Sequence, residues 1–125
     1  MTVPNDLKYT EEHEWIRVEG DEIVVGVTDF AQGELGDVVF IELETEGEDL
    51  SKGDTFGTIE AVKTVSDLYM PVSGHVVMVN PALEDTPELV NSDPFGGGWM
   101  IRIKLSDPAQ LDDLIPADQY STMIG

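Results

Sequence analysis

The chain contains no cysteine and very few basic residues. The absence of cysteine excludes disulfides and thiolate metal sites, so any thiol chemistry must come from an added group. Only 6 lysines and arginines stand against 26 aspartates and glutamates, which gives a formal net charge of -20. A surface this negative repels nucleic-acid phosphates and anionic lipid headgroups, so we expect neither nucleic acid nor membrane as a partner.

Long apolar segments are absent as well. No apolar run approaches the roughly 20 residues of a membrane span, and the first residues lack the basic and apolar regions of a secretory signal. We therefore expect a cytoplasmic protein. Because the acidic residues are spread through the whole chain, we also consider the hypothesis of a halophilic host, in which salt would screen their mutual repulsion.

The apolar residues occur in short runs rich in valine and isoleucine, bounded by glycine, proline, asparagine and aspartate. Such runs predict strands joined by tight turns. The predicted strands are 23–27, 38–43, 55–62, 65–70, 75–79 and 99–105. Residues 1–125 are therefore expected to form a single domain, an all-β sandwich or barrel in which most connections are hairpins.

Helical signals are weaker than the strand signals. Thr28 is expected to cap a short turn over 29–32, and Ser106 a segment over 107–114. With a further short helix over 116–123, the chain is predicted to have a C-terminal helical segment at about 106–123. The apolar residues of 81–90 are compatible with a helical turn or two, but Pro87 interrupts them, so the segment is predicted to be a structured loop.

Lys63, one of only four lysines, lies between two apolar stretches. Ile59 and Ala61 alternate before it and Val65 follows it, which predicts that Lys63 occupies the tip of a hairpin spanning about 55–79. At a tip, its amine would be accessible to a modifying enzyme. An ordinary surface lysine at a turn is the alternative that this local spacing leaves open.

The surroundings of Lys63 resemble the lipoyl attachment hairpin of the biotinyl/lipoyl carrier families, with Glu60 three residues before it and Gly74 eleven residues after it. The resemblance extends along most of the chain. Segments similar to the glycine cleavage system H-protein family occur, in the same order, at 7–10, 12–15, 26–32, 35–43, 57–63, 66–67, 71–74 and 98–101.

This resemblance implies a mainly β fold, a barrel-sandwich hybrid of two antiparallel sheets with short helices, including a C-terminal one. It implies a carrier rather than an enzyme, with lipoic acid in amide linkage to Lys63. The implied partners are glycine decarboxylase (P protein), aminomethyltransferase (T protein), dihydrolipoyl dehydrogenase (L protein) and the lipoate attachment enzymes. The cofactor would supply a disulfide, which no standard side chain offers, and the protein would position it.

The resemblance also implies roles for four further residues. Glu60 corresponds to a recognition residue for lipoyl attachment, while Glu14 and Asp67, with His13 as a neighbour, correspond to residues near the docked arm. Carboxylates there would pair with the cationic aminomethyl end and help to exclude water. In a chain with 26 acidic residues, each carboxylate has solvated surface as its alternative reading. Glu12 stands where relatives often have a small polar residue. This difference either adds negative charge near the docked arm or simply follows the acidic composition of the chain.

Several alternatives remain open at this point. Within the carrier class, a biotinyl or 2-oxoacid dehydrogenase lipoyl domain is the runner-up, although biotinyl domains usually flank the lysine with methionines, and Val62 and Thr64 stand here. An H-like protein that donates lipoyl groups to other enzymes, or an unmodified binding module, is the alternative from another class. His13 and His75 lack a neighbouring ligand set, so no metal site is expected. The high charge and the need to visit several enzymes favour a monomer.

Overall fold

The computed structural model describes residues 2–125, which form two antiparallel β-sheets and short helices. The strands are β1 (Lys8–Tyr9), β2 (Glu14–Glu19), β3 (Glu22–Val27), β4 (Val38–Glu42), β5 (Asp49–Leu50), β6 (Thr55–Ala61), β7 (Val65–Tyr69), β8 (Gly74–Val79), β9 (Ile101–Leu105) and β10 (Ile115–Pro116). The helices are α1 (Asp29–Leu35), α2 (Ala82–Asp85), α3 (Leu89–Ser92), a 3-10 helix (Pro108–Asp113) and α4 (Ala117–Ile124). Across residues 2–125, every helix is too short or too polar to span a bilayer.

The large sheet has seven strands in the order β10-β1-β2-β3-β9-β8-β5, and the small sheet has three in the order β4-β6-β7. The predicted fold class, two antiparallel sheets with short helices that include a C-terminal one, is confirmed. The hairpin that was predicted at 55–79 pairs only β6 with β7, and β8 joins the large sheet instead. The hairpin therefore ends near residue 69.

Each of the six predicted strands is present within two residues of its predicted ends, whereas β2 was missed. The reason lies in its burial pattern, because Glu14, Trp15 and Ile16 are buried one after another. A carboxyl group at a buried position breaks the alternation by which half-buried strands are recognised. The short strands β1, β5 and β10 have too few residues to show any period.

Helix α1 begins as predicted, because the Thr28 hydroxyl accepts a hydrogen bond from the Ala31 N–H at 3.2 Å. The helix runs three residues further than predicted, to Leu35, and ends at Gly36, whose φ of 79° suits glycine. Two other expectations were wrong. Asp107, not Ser106, caps the 3-10 helix, and 81–90 contains helical turns (α2 and the start of α3) rather than loop alone.

One apolar core lies between the two sheets. Ile41, Ile59 and Leu68 of the small sheet pack in the same buried cluster as Val25 and Ile103 of the large sheet. Each such side chain stabilises the fold by about 1.5–3 kcal/mol when fully buried. A three-stranded sheet needs a hydrophobic face of this kind to be stable, so the core is what holds the small sheet in place.

A second apolar cluster forms on the opposite face of the large sheet. It contains Tyr9, Trp15 and Val24, and the C-terminal helix α4 covers it with Tyr120. Gly26 lies opposite Trp15 in the β2–β3 pair, and a Cβ at Gly26 would approach the indole Nε1 to 2.6 Å. The large sheet is thus buried on both faces around β1, β2 and β3, and α4 packs against β1 near the start of the chain.

Candidate functional site

Lys63 lies at the tip of the β6–β7 hairpin, in the position predicted from the alternation of apolar residues. The Ala61 N–H donates to the Thr64 carbonyl at 2.8 Å, which leaves Val62 and Lys63 as a two-residue loop. Both loop residues are exposed. The hairpin therefore presents the lysine side chain at one extremity of the small sheet.

Two other lysines on this acidic surface have a carboxylate partner. Lys52 lies 3.6 Å from Asp113 and Lys104 lies 4.0 Å from Asp21. Among residues 2–125, no ion pair or hydrogen bond engages the Lys63 amine. Converting this amine to a neutral amide would therefore break no pairing in the described part of the chain.

The segment between α1 and β4, residues 36–37, packs against the hairpin loop. The Val62 N–H donates to the Asp37 carbonyl at 3.0 Å. The Lys63 side chain lies over Gly36, since a Cβ at Gly36 would come within 3.4 Å of Lys63 Cε. Glycine at position 36 thus serves two purposes, because it ends α1 with a positive φ and leaves room for the lysine.

Asn91 of α3 holds this supporting segment with its side chain. Its Nδ2 donates to the Gly36 carbonyl at 2.8 Å and to Gln32 Oε1 at 3.0 Å, and its Oδ1 accepts from the Val38 N–H at 2.9 Å. One amide thereby ties α1, α3 and β4 together beneath the loop. Sequence reasoning missed Asn91, because a single polar residue just after the segment predicted to be loop carries no local signal.

A cavity of about 360 Å³, here called the Asp67 cavity, lies between α1, β7 and the residues that precede β2. It brings together two of the predicted site residues, Asp67 and His13. Its Leu35 wall adjoins Gly36, over which the lysine side chain lies. The full lining is Glu12, His13, Val27, Ala31, Glu34, Leu35, Ile59, Ser66, Asp67, Leu68 and Tyr69.

Glu14 lies in a second cavity of about 630 Å³, here called the Glu14 cavity. Glu12 and Tyr69 line both cavities, so the two are neighbours. Glu60 lines neither cavity and is exposed on the outer face of the small sheet. The Glu14 cavity is lined by Tyr9, Thr10, Glu11, Glu12, Glu14, Lys52, Gly53, Tyr69, Met70, Pro71, Asp113, Leu114 and Ile115.

Glu14 is only 3% exposed, and its surroundings keep it uncharged near neutral pH. Burial raises the pKa of Glu14 to about 8, with a small addition from the charge of Glu12. Hydrogen bonds from the Thr10 hydroxyl and the Tyr69 backbone oppose this rise only in part. The Thr10 hydroxyl also accepts from the Glu14 N–H at 3.2 Å, which fixes the backbone at this point.

His13 adopts an unusual backbone conformation with φ of 66°, the only positive value for a non-glycine residue within 2–125. Two hydrogen bonds hold it there: its N–H donates to the Thr10 carbonyl at 3.1 Å, and its own carbonyl accepts from the Thr28 N–H at 3.0 Å. The ring packs against Phe30 at 4.7 Å between centroids. The histidine is therefore fixed from both backbone and side chain.

The His13 ring is the end of a chain of hydroxyl groups. His13 Nδ1 lies 3.0 Å from Tyr120 Oη, which lies 2.7 Å from Thr28 Oγ1. Thr28 is 1% exposed, its oxygen accepts from the Ala31 N–H, and among residues 2–125 the Tyr120 oxygen is the acceptor within reach of its hydroxyl hydrogen. We therefore expect Tyr120 to donate to His13 Nδ1, which predicts the imidazole proton on Nε2.

Tyr120 is a second residue that sequence reasoning missed. The helix 116–123 was predicted and α4 is found at Ala117–Ile124, but its contact with a residue 107 positions away was not predicted. Burial raises the pKa of Tyr120, which keeps its hydroxyl protonated. The ring stacks on Tyr9 at 4.4 Å, so α4 is anchored beside the site.

Comparison with known proteins gives consistent similarities. The glycine cleavage H-protein family model matches residues 7–125. The glycine cleavage system H protein of Staphylococcus haemolyticus is 57% identical over 125 residues, which are 100% of this chain and 99% of that protein. The protein of the same name from Bacteroides fragilis is 56% identical over 124 residues, or 99% and 98% of the two chains.

The fold is also similar to a solved structure. A crystal structure of a glycine cleavage system H protein from Mycobacterium marinum matches with a TM-score of 0.87 and 39% sequence identity. The match covers 96% of this chain and 97% of that one. Similarity in sequence and in structure thus extends over nearly the whole chain.

We predict that Glu14 lowers the stability of the fold as pH rises. Between its ordinary pKa of 4.5 and about 8, the unfolded chain has lost the Glu14 proton while the folded chain retains it. Relative to Glu14→Gln, the wild-type free energy of unfolding should therefore fall by a few kcal/mol from pH 5 to pH 8. Urea unfolding across this range measures the difference. The exposed Glu48→Gln, which lies in neither cavity, serves as control, and parallel profiles for wild type and Glu14→Gln would contradict the prediction.

The hydroxyl chain predicts the tautomer of His13. In nitrogen-15 NMR spectra of neutral His13, the wild type should show the proton on Nε2. Tyr120→Phe removes the donor to Nδ1, so both tautomers should become populated, whereas Tyr9→Phe, whose hydroxyl bonds the Pro4 carbonyl, should leave His13 unchanged. A wild-type proton on Nδ1 would show that the chain of donors runs in the opposite direction.

Proposed function

Since the chain belongs to the glycine cleavage H-protein family, we propose that Lys63 is the residue on which it carries its lipoyl group. Proteins of this family are lipoyl carriers, not enzymes, and serve the P, T and L proteins in shuttling the aminomethyl group of glycine. The family assignment replaces the biotinyl and 2-oxoacid dehydrogenase alternatives. The observation that supports Lys63 is its exposed position at the tip of a hairpin loop that is hydrogen-bonded to the segment before β4. Its amine has no partner among the described residues.

The residues around Lys63 fit a lipoyl group by size. A lipoylated lysine side chain reaches about 14 Å when extended, from standard bond lengths. β7 spans about 13 Å from Val65 to Tyr69, where the two cavities meet. The Asp67 cavity lies along this path and the Glu14 cavity at its far end. When bound, the group supplies the disulfide that accepts the aminomethyl group and is later reoxidised.

Glu14, Asp67 and His13 are proposed to shelter the far end of the arm. Glu14 is buried and protonated near neutral pH, so it would lose its proton as a cationic amine arrives and then pair with that amine. A buried charge is tolerated when it is paired and hydrogen-bonded, and Thr10 provides a hydrogen bond. Glu12, at the boundary of the two cavities, adds a further carboxylate that attracts the cation.

Glu60 is proposed to act on the unmodified protein, where the enzyme that attaches the lipoyl group would recognise its carboxylate. Its carboxylate is exposed on the strand that leads into the loop. Because Glu60 lines neither cavity, this role is separate from the sheltering of the arm. We thus propose that residues 1–125 form a single carrier domain. It comprises the attachment hairpin, the two cavities beside the hairpin and the helical C-terminal segment.

We also propose a cytoplasmic location and a monomeric carrier, and we keep the salt-rich host as a hypothesis. Its support is the surplus of carboxylates, since two surface arginines and two lysines find acidic partners among residues 2–125 while 26 acidic residues are present. Self-repulsion of this size destabilises a compact state and is screened by salt. Thermal stability that does not change when salt is removed would count against a salt-rich host.

Attachment at Lys63 is tested by the intact mass of the protein purified from its own host. Wild type should carry a mass increase equal to one lipoyl group, and Lys63→Ala should carry none. Lys8→Ala removes another exposed lysine and should keep the increase. A biotin-sized increase, or none on wild type, would overturn the proposal.

Sheltering by carboxyl groups is tested by the lifetime of the aminomethyl cargo on lipoylated protein. Glu14→Gln and Asp67→Asn should each leave lipoylation intact but shorten that lifetime roughly tenfold, the effect expected from losing one charge-assisted hydrogen bond. Release of the cargo can be followed by mass spectrometry. Glu48→Gln, an exposed carboxyl in neither cavity, is the control, and lifetimes equal to wild type in both test variants would exclude the sheltering role.

A further inference from the structure

An apolar row interrupts the acidic surface of the small sheet beside Lys63. Glu60 on β6 lies opposite Phe40 on β4 and opposite Val65 on β7. Directly opposite residues of antiparallel strands share one face of a sheet. Phe40 and Val65 are 49% and 63% exposed. The row Phe40–Glu60–Val65, here called the outer row, therefore presents two apolar side chains with a carboxylate between them.

The outer row lies on the face of the small sheet that points away from the core. Ile41 and Ile59, which neighbour Phe40 and Glu60 in sequence, are buried on the inner face. The hairpin loop continues the apolar surface with Val62, which is 76% exposed and directly precedes Lys63. Exposed apolar residues therefore lie on the strand that follows the loop and within the loop beside the attachment lysine.

We propose that the outer row is the docking surface for the enzyme that acylates Lys63. This inference rests on the proposed attachment of the lipoyl group to Lys63. The row fits a partner surface that has an apolar depression for Phe40 and Val65 and a basic side chain, arginine or lysine, placed to pair with Glu60. A carboxylate held between two apolar groups becomes partly desolvated on docking, which strengthens its pairing with a cation.

The position of the reacting atom explains why this partner is favoured over the others. Acylation joins Nζ to the carboxyl carbon of an activated lipoyl donor, displaces the activating group with its electron pair, and releases two of the three ammonium protons, since the third stays on the amide nitrogen. Nζ lies only about 6 Å from its own Cα, from standard bond lengths, so the catalytic site must come against the hairpin itself. Enzymes that act on the finished arm meet their reacting atoms about 14 Å away and need no close contact with the outer row.

The acidic flank of the face limits which surfaces can dock. Glu42, Thr58 and Asp67 form the next row of the same face, again by direct opposition across the strands. Two carboxylates beside the outer row repel an acidic partner, including a second copy of this chain with its charge of -20. The charge pattern therefore selects for a basic rim around the apolar depression.

The test is the rate of acylation of unmodified protein by a purified lipoate attachment enzyme. Phe40→Ser and Val65→Ser are each expected to raise KM roughly tenfold or more with little change in kcat, because buried apolar anchors dominate docking energies. Phe40→Leu and Val65→Ile should restore the wild-type KM. Val18→Ser is the matched control, since Val18 is 46% exposed on β2 of the other sheet.

Two further measurements separate docking from other effects. Acetylation of Lys63 by a small reagent should proceed equally in wild type and all variants, because it requires no docking. Once lipoylated, Phe40→Ser should be reoxidised by dihydrolipoyl dehydrogenase at the wild-type rate. A wild-type KM for acylation of both serine variants overturns the outer row as the docking surface while leaving Lys63 as the attachment residue. Absence of acylation on wild-type Lys63 overturns the proposed function itself, and the docking surface with it.

Discussion

The apolar core between the two sheets is the constraint on which the rest of this structure depends. The small sheet has only three strands, and its inner face is covered by the large sheet through residues such as Ile59 and Leu68. Without that contact the hairpin would be marginally stable in water. Because the hairpin is packed rather than free, the path from Lys63 along β7 to the two cavities is fixed. The hairpin proposed to hold the lipoyl group is therefore a rigid base for it.

The distribution of charge follows from the same core. A chain with 26 acidic residues keeps its carboxyl groups at the surface, and Glu14 is the exception. Its burial costs stability as pH rises, and this cost is consistent with a group kept for chemistry rather than for folding. The outer row is the converse exception, because apolar side chains stay exposed where polar ones would be less costly. Glu14 lines the cavity that adjoins the Asp67 cavity, and the outer row adjoins the hairpin loop.

Much of this architecture could be predicted from local patterns. The runs of valine and isoleucine predicted six strands, and Thr28 predicted the start of α1, because turn residues and caps act over a few positions. The position of Lys63 at the hairpin tip followed from the alternation around it. β2 was missed, since a buried carboxyl at position 14 conceals its period. Asp107 rather than Ser106 capped the 3-10 helix, a difference of one residue that only backbone geometry decides.

The sequence by itself indicated an all-β sandwich or barrel and placed an isolated lysine at a turn, because both follow from residue types a few positions apart. The ordered motifs along the chain indicated the family, and through the family the two-sheet class of fold. Tertiary structure alone decided that Glu14 is buried and protonated, that Asn91 holds the segment beneath the loop and that Tyr120 orients His13. The side-chain hydrogen bonds of Asn91 and Tyr120 join residues separated by 53 to 107 positions. Local composition contains no information on which distant groups meet, since the folding of two sheets around one core brings them together.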